Sequence, residues 1–149
     1  MRIVEKSKID RPADKVWPFI IRPEYFMKWN TKIIAMDAQG EFRVGQTFIT
    51  HYRMNSKEIQ CSSMATAIEE GRRLELRHSN CVGKGNNPEL EVHEKITLQA
   101  ENGHTIVLKE VVITNHDIPC ILIPIIWFVT RFGKTTEPDL LKLMCESDD

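Results

Sequence analysis

The sequence predicts an α+β domain in which a curved antiparallel sheet of about seven strands wraps a long C-terminal helix, with two short helices after strand one. Three observations predict it. From Thr31 onward, strand-like segments are separated by turn residues at fairly regular intervals. The connections between these segments are short, which demands antiparallel neighbours. One face of such a sheet has to be covered, and Ile118–Met144 is the only segment that reads as a long helix. Residues 1–149 read as a single domain, long enough for one core, with no internal repeat, low-complexity tract or linker.

Arg2–Asp10 alternates Val and Ile with charges and is the first strand. Asp10 then suits a helix N-cap, Pro12 a first turn, and Val16, Phe19 and Ile20 an apolar stripe. Pro18 inside that stripe argues for a short or distorted helix. Arg22–Trp29 is a second short helix, begun by Pro23. The pair is too apolar for a DNA-reading motif and is expected to plug one end of the sheet.

Six further strands follow, over 32–38, 47–54, 58–69, 73–79, 89–100 and 105–115. The turns between them include Gln39-Gly40, Asn55-Ser56, Glu70-Gly71 and the Gly- and Asn-rich loop Gly83–Pro88. Asn102-Gly103 is the strongest hairpin signal, of the kind that favours a primed turn.

The closing segment opens with the uncharged run Ile118–Val129, which includes Pro119 and Pro124. It is too short to span a bilayer, which takes about 20 residues. Nor does Met1–Lys8 have the apolar stretch of a signal peptide. The run reads as a buried helix start or as a patch for a membrane surface, a partner or a second copy in a homodimer. The helix begins either at Asp117 as cap or near Pro124, and a break is expected between Gly133 and Pro138.

Net charge is −1, with both signs mixed along the chain, so there is no electrostatic case for nucleic acid. Cys61, Cys81, Cys120 and Cys145 lack the close spacing of a disulfide framework or a zinc site. They read as reduced thiols of a cytoplasmic protein. The five histidines show no pair at metal-ligand spacing, and no phosphate loop or nucleophile elbow is present. No metal and no cofactor is expected.

The chain resembles the START-like, or SRPBCC, superfamily of polyketide cyclases, dehydrases and lipid carriers. The resemblance is carried by Ile9–Trp17, by Pro23–Trp29, by Gly45–Phe48 and by the Asn102-Gly103 turn. Arg11 and Lys15 depart from the first of these motifs, standing where the family has Ala and Glu. The resemblance implies a helix-grip fold with a ligand cavity between sheet and C-terminal helix. Its members include lipid and hormone carriers, aromatic polyketide cyclases and chaperone activators. The shared motifs are structural, so they bear on the fold far more than on any activity.

Alternation nominates the residues of that cavity. Phe48 and Tyr52 share one face of their strand, and His78 shares a face with Leu74 and Leu76. Tyr52 and His78 would hydrogen-bond a polar end of an apolar ligand, or be satisfied core residues. Glu94 and Glu110 fall on apolar faces of the two strands joined by Asn102-Gly103 and are expected to point together into the concave side. There they would perturb each other's ionisation, as acid–base chemistry requires. The other reading leaves them near the sheet ends, in water or paired with Lys or Arg; Val107, Val111 and Ile113 make the opposite face of the second strand apolar too, which leaves its inward set open. Tyr25, Trp29 and Trp127 either line the pocket mouth or pack the helices onto the sheet.

The expected function is binding or transport of a small hydrophobic molecule. The alternatives are a small cyclase or dehydratase using the pocket Glu, Tyr and His, and an interaction module using the start of the last helix.

Overall fold

A computed structural model describes residues 1–54, 57–83, 89–114 and 137–147. The elements are β1 (Arg2–Ile9), α1 (Ala13–Ile21), α2 (Pro23–Trp29), β2 (Ile33–Met36), β3 (Thr47–Met54), β4 (Lys57–Glu69), β5 (Arg73–Val82), β6 (Glu91–Glu101), β7 (His104–Thr114) and α3 (Glu137–Ser147). The strands form one sheet in the order β1-β7-β6-β5-β4-β3-β2, with every neighbouring pair antiparallel. This is a curled half-barrel, and the three helices pack against it in the helix-grip manner. The expected helix start, at Asp117 or near Pro124, and the loops at 55–56 and 84–88 lie outside the described residues, as does the expected break between Gly133 and Pro138 as far as residue 136.

Local sequence explains most element boundaries. Asn102 and Gly103 both take positive φ, 42° and 85°, as a primed two-residue turn requires. That turn fixes the β6–β7 register, pairing Glu101 with His104 and, counting outward, Glu94 with Val111. β2 stops at Met36, sooner than the sequence suggests. The Asp37 carboxylate accepts the Ile49 N–H at 2.6 Å, in place of a strand carbonyl. Register shifts at Ile33/Ala35, Gln60/Ser62 and Ala65/Ala67 are bulges, which bend and twist the strands they interrupt.

Asp10 does not cap α1. It stands two residues before the N-cap, which is Pro12, and its own N–H is bound by the Glu146 carboxylate of α3 at 2.9 Å. α1 also runs through Pro18 to Ile21. The carbonyl that Pro18 leaves without its helical partner belongs to Asp14, which is exposed to water.

The core lies on the concave side. Ile9, Leu74, Leu76, Ile96, Leu98 and Val107 come from the sheet; Val16, Ile20, Phe26 and Trp29 come from α1 and α2; Leu141 and Cys145 come from α3. Phe42 joins them, its N–H donating to the Ile21 carbonyl at 2.9 Å and its ring meeting Phe26 edge to face at 5.5 Å.

The cysteines correct the sequence reading. Cys61 and Cys81 form a disulfide across β4 and β5, their Cα atoms 4.1 Å apart. The hairpin folds residues separated by 20 positions onto each other, so close spacing in sequence was the wrong criterion. A bulge between the Gln60/Val82 and Ser62/Ser79 pairs brings the two side chains together, and Asn80 takes φ 50° within it. Reduced thiols therefore no longer support a reducing compartment. Closing a loop of this size stabilises a fold by about 3 kcal/mol. The double variant Cys61→Ala/Cys81→Ala is expected to lose that much in urea unfolding, and equal midpoints would show the bond to be energetically idle.

Candidate functional site

β-Sheet alternation and register together carry a row of polar side chains across the concave face. It starts on β3 with Thr50 and Tyr52, crosses Ser63 on β4 and His78 on β5, and reaches Glu94 on β6. Lys109 on β7 and Glu5 on β1 continue it, for these two are direct cross-strand partners and share the face of Val107 and Val111. Thr50, Ser63, His78 and Glu94 are all buried, Glu94 with 5% of its surface exposed.

The row is hydrogen-bonded from one end. Thr50 Oγ1 and Ser63 Oγ are 2.7 Å apart, and Ser63 Oγ lies 2.6 Å from His78 Nδ1. The Tyr52 hydroxyl donates to Glu94 Oε1 at 3.0 Å, and the Tyr52 ring meets the His78 ring edge to face at 5.3 Å. His78 Nε2 is 3.5 Å from the same Oε1. A lone pair on Nε2 would face an anion, so Nε2 carries a proton whether the ring is neutral or charged. At that distance the contact is electrostatic and not a hydrogen bond. Among the described residues, His78 Nε2 and Glu94 Oε2 thus have no hydrogen-bond partner.

Burial pushes the Glu94 carboxyl up, but the His78 ring, the Lys109 ammonium and the Tyr52 hydroxyl together outweigh it and hold the group down at about 2. Glu94 is an anion at neutral pH. Burial, then the neighbouring Glu94 charge and the hydrogen bond donated to it, push the Tyr52 hydroxyl well above the ordinary phenol range. Tyr52 therefore remains a donor.

Of the residues nominated from sequence, Tyr52, His78 and Glu94 are brought together. Phe48 is buried on the same face of β3, two residues before Thr50, and packs on Phe42 at 5.5 Å. Trp29 is buried, donates its indole N–H to the Phe19 carbonyl at 2.8 Å and carries the Lys109 ammonium 5.5 Å above its ring. Tyr25 belongs to the helix pair, with Phe19 against its ring at 5.3 Å and Lys28 over it at 5.3 Å. Trp127 lies outside the described residues.

Glu110 is a correction. Its cross-strand partners are Lys95 and Val4, which places it on the convex face, where it pairs with Arg2 at 2.9 Å. β7 is apolar on both faces, so alternation alone could not choose between them. Thr50, Ser63 and Lys109 were missed. Their signal was the register, which sets Ser63 opposite His78 and Lys109 two pairs along from Glu94, on the same face.

Trp29, Val107, Lys109, Leu141, Glu5, Lys6 and Ser7 enclose a cleft of about 20 Å³ between the sheet, α2 and α3, room for one water. A larger depression of about 310 Å³, lined by Asp14, Trp17, Arg22, Glu41 and Glu70 among others, shares no residue with the row. Among the described residues, no group of three or more His, Cys, Asp or Glu could hold a metal ion, and no helix is long and apolar enough to cross a membrane.

The half-barrel and the helices packed on its inner face are those of a START-like protein. More narrowly, residues 10–118 match the activator of Hsp90 ATPase homolog 1-like proteins, and the chain belongs to that family. No curated protein sequence matches it significantly. Solved structures share the fold at low identity. A START superfamily protein from Mycobacterium smegmatis has a TM-score of 0.72 and 10% identity, covering 98% of this chain and 97% of that one. Ara h 8.0201 has a TM-score of 0.66 and 18% identity, with 99% of each chain covered. DynU16, from the dynemicin biosynthetic locus, has a TM-score of 0.66 and 15% identity; 98% of this chain matches 47% of that one.

Proposed function

We propose that this protein binds a small, largely hydrophobic molecule on the concave side of its sheet. The observation that carries this reading is the buried Glu94 carboxylate, set among apolar side chains with one oxygen unpartnered among the described residues. A buried polar atom left in that state costs about 1–3 kcal/mol, more when charged, and a bound molecule would remove the cost. Membership of a START-like family supports the same reading.

Acid–base catalysis fits the row less well. A carboxylate held at about 2 is a weak base at neutral pH, and a phenol pushed well above 10 is a weak acid. The carboxylate is suited to holding a molecule in place, with Tyr52 fixing its other oxygen. The alternative of an interaction surface rested on Ile118–Val129, outside the described residues.

Native mass spectrometry of the purified protein, followed by denaturing extraction, tests the proposal. One apolar molecule per chain is expected, either carried through purification or taken up from added naphthalene. A chain that stays empty in both cases would contradict it.

A further inference from the structure

Two unpartnered atoms of opposite character stand side by side on the concave face. His78 Nε2 is a donor and Glu94 Oε2 is an acceptor, and neither has a hydrogen-bond partner among the described residues. They are close neighbours, because Nε2 lies 3.5 Å from the other oxygen of the same carboxylate. Both side chains are more than nine-tenths buried. The rest of the row is satisfied from behind, with Ser63 on His78 Nδ1 and Tyr52 on Glu94 Oε1. The pair is therefore held in place with one buried donor and one buried acceptor unpaired among the described residues.

Resting on the ligand-binding reading, we infer that the ligand carries a hydroxyl group, seated between His78 Nε2 and Glu94 Oε2. A hydroxyl accepts one hydrogen bond and donates another, which is the combination these two atoms lack. A carboxylate has no proton to give and would meet the Glu94 charge. An ammonium could donate to Glu94 but offers nothing to the His78 N–H. The surroundings supply the apolar remainder, with Leu76 opposite Glu94, Val92 opposite His78 and Ile96 next along β6. The site thus favours hydrophobic alcohols and phenols over fatty acids of similar size.

The test compares binding of naphthalene, 2-naphthol and 2-naphthoate to the whole protein at pH 7 by calorimetry. A hydrogen bond to a charged group strengthens binding about tenfold or more. 2-Naphthol is expected to bind at least about tenfold tighter than naphthalene, and 2-naphthoate weaker than both. Glu94→Gln should cut the advantage of 2-naphthol over naphthalene to within about threefold. In the parent protein, 2-naphthol should also shift the His78 ring nitrogen signals in NMR. Equal affinity for naphthalene and 2-naphthol, or an unchanged preference in Glu94→Gln, would overturn the hydroxyl site and leave the binding reading standing. No binding of any of the three would overturn both.

Discussion

Trp29→Ala is expected to destabilise the fold by about 3–5 kcal/mol, the range for removing a large buried aromatic. Trp29 is 4% exposed and meets Phe26 edge to face at 4.9 Å, so its removal opens a cavity where α2 faces the sheet. Its indole N–H also binds the Phe19 carbonyl, one of the last carbonyls of α1, which the helix itself cannot pair. Lys109 would lose the ring beneath it as well. Urea unfolding measures the loss. Trp29→Phe separates the contributions, since it keeps an aromatic ring and drops the hydrogen bond, and should cost about 1–3 kcal/mol. Equal losses in the two variants would mean that the hydrogen bond, and not the packing, dominates.

Glu94→Gln is expected to cost stability at neutral pH and to flatten the acid side of the stability profile. The folded carboxyl sits at about 2 against an ordinary value of 4.5. At about 1.4 kcal/mol per unit, ionised Glu94 contributes roughly 3 kcal/mol. The folded value lies below the unfolded one, so the contribution is complete above about pH 4.5 and is lost as pH falls from there toward 2. The parent protein should lose stability across that window by this amount more than Glu94→Gln does. The two curves should converge at low pH, because the other carboxylates are common to both. Parallel curves would show that Glu94 titrates alike in the folded and unfolded chain.

Alternation and turn chemistry made the sheet legible. β3 shows this best, since Thr47–Met54 is bounded as the sequence suggests. The same alternation put Tyr52, His78 and Glu94 on faces that also carry apolar residues. It failed where a strand is apolar on both sides, as β7 is, and Glu110 was assigned to the wrong face as a result. The cure was present in the sequence. A two-residue turn at Asn102-Gly103 determines which residues oppose each other, and it sets Glu94 against Val111. Ser63 and Thr50 gave no signal of their own, because small hydroxyl residues become informative only once a histidine is known to stand opposite them. The disulfide was missed for a similar reason, since it depends on a bulge that sequence alternation does not announce.

Glu94 is held as a buried anion on the concave face. Following its side-chain carboxyl carbon by NMR from pH 7 down to the acid limit of the folded state tests this most directly. A midpoint near 2 is expected, with the signal still that of a carboxylate at pH 4. A midpoint above about 7 would mean a neutral acid at this position at neutral pH. The open acceptor, and the ligand reading built on it, would then fall together.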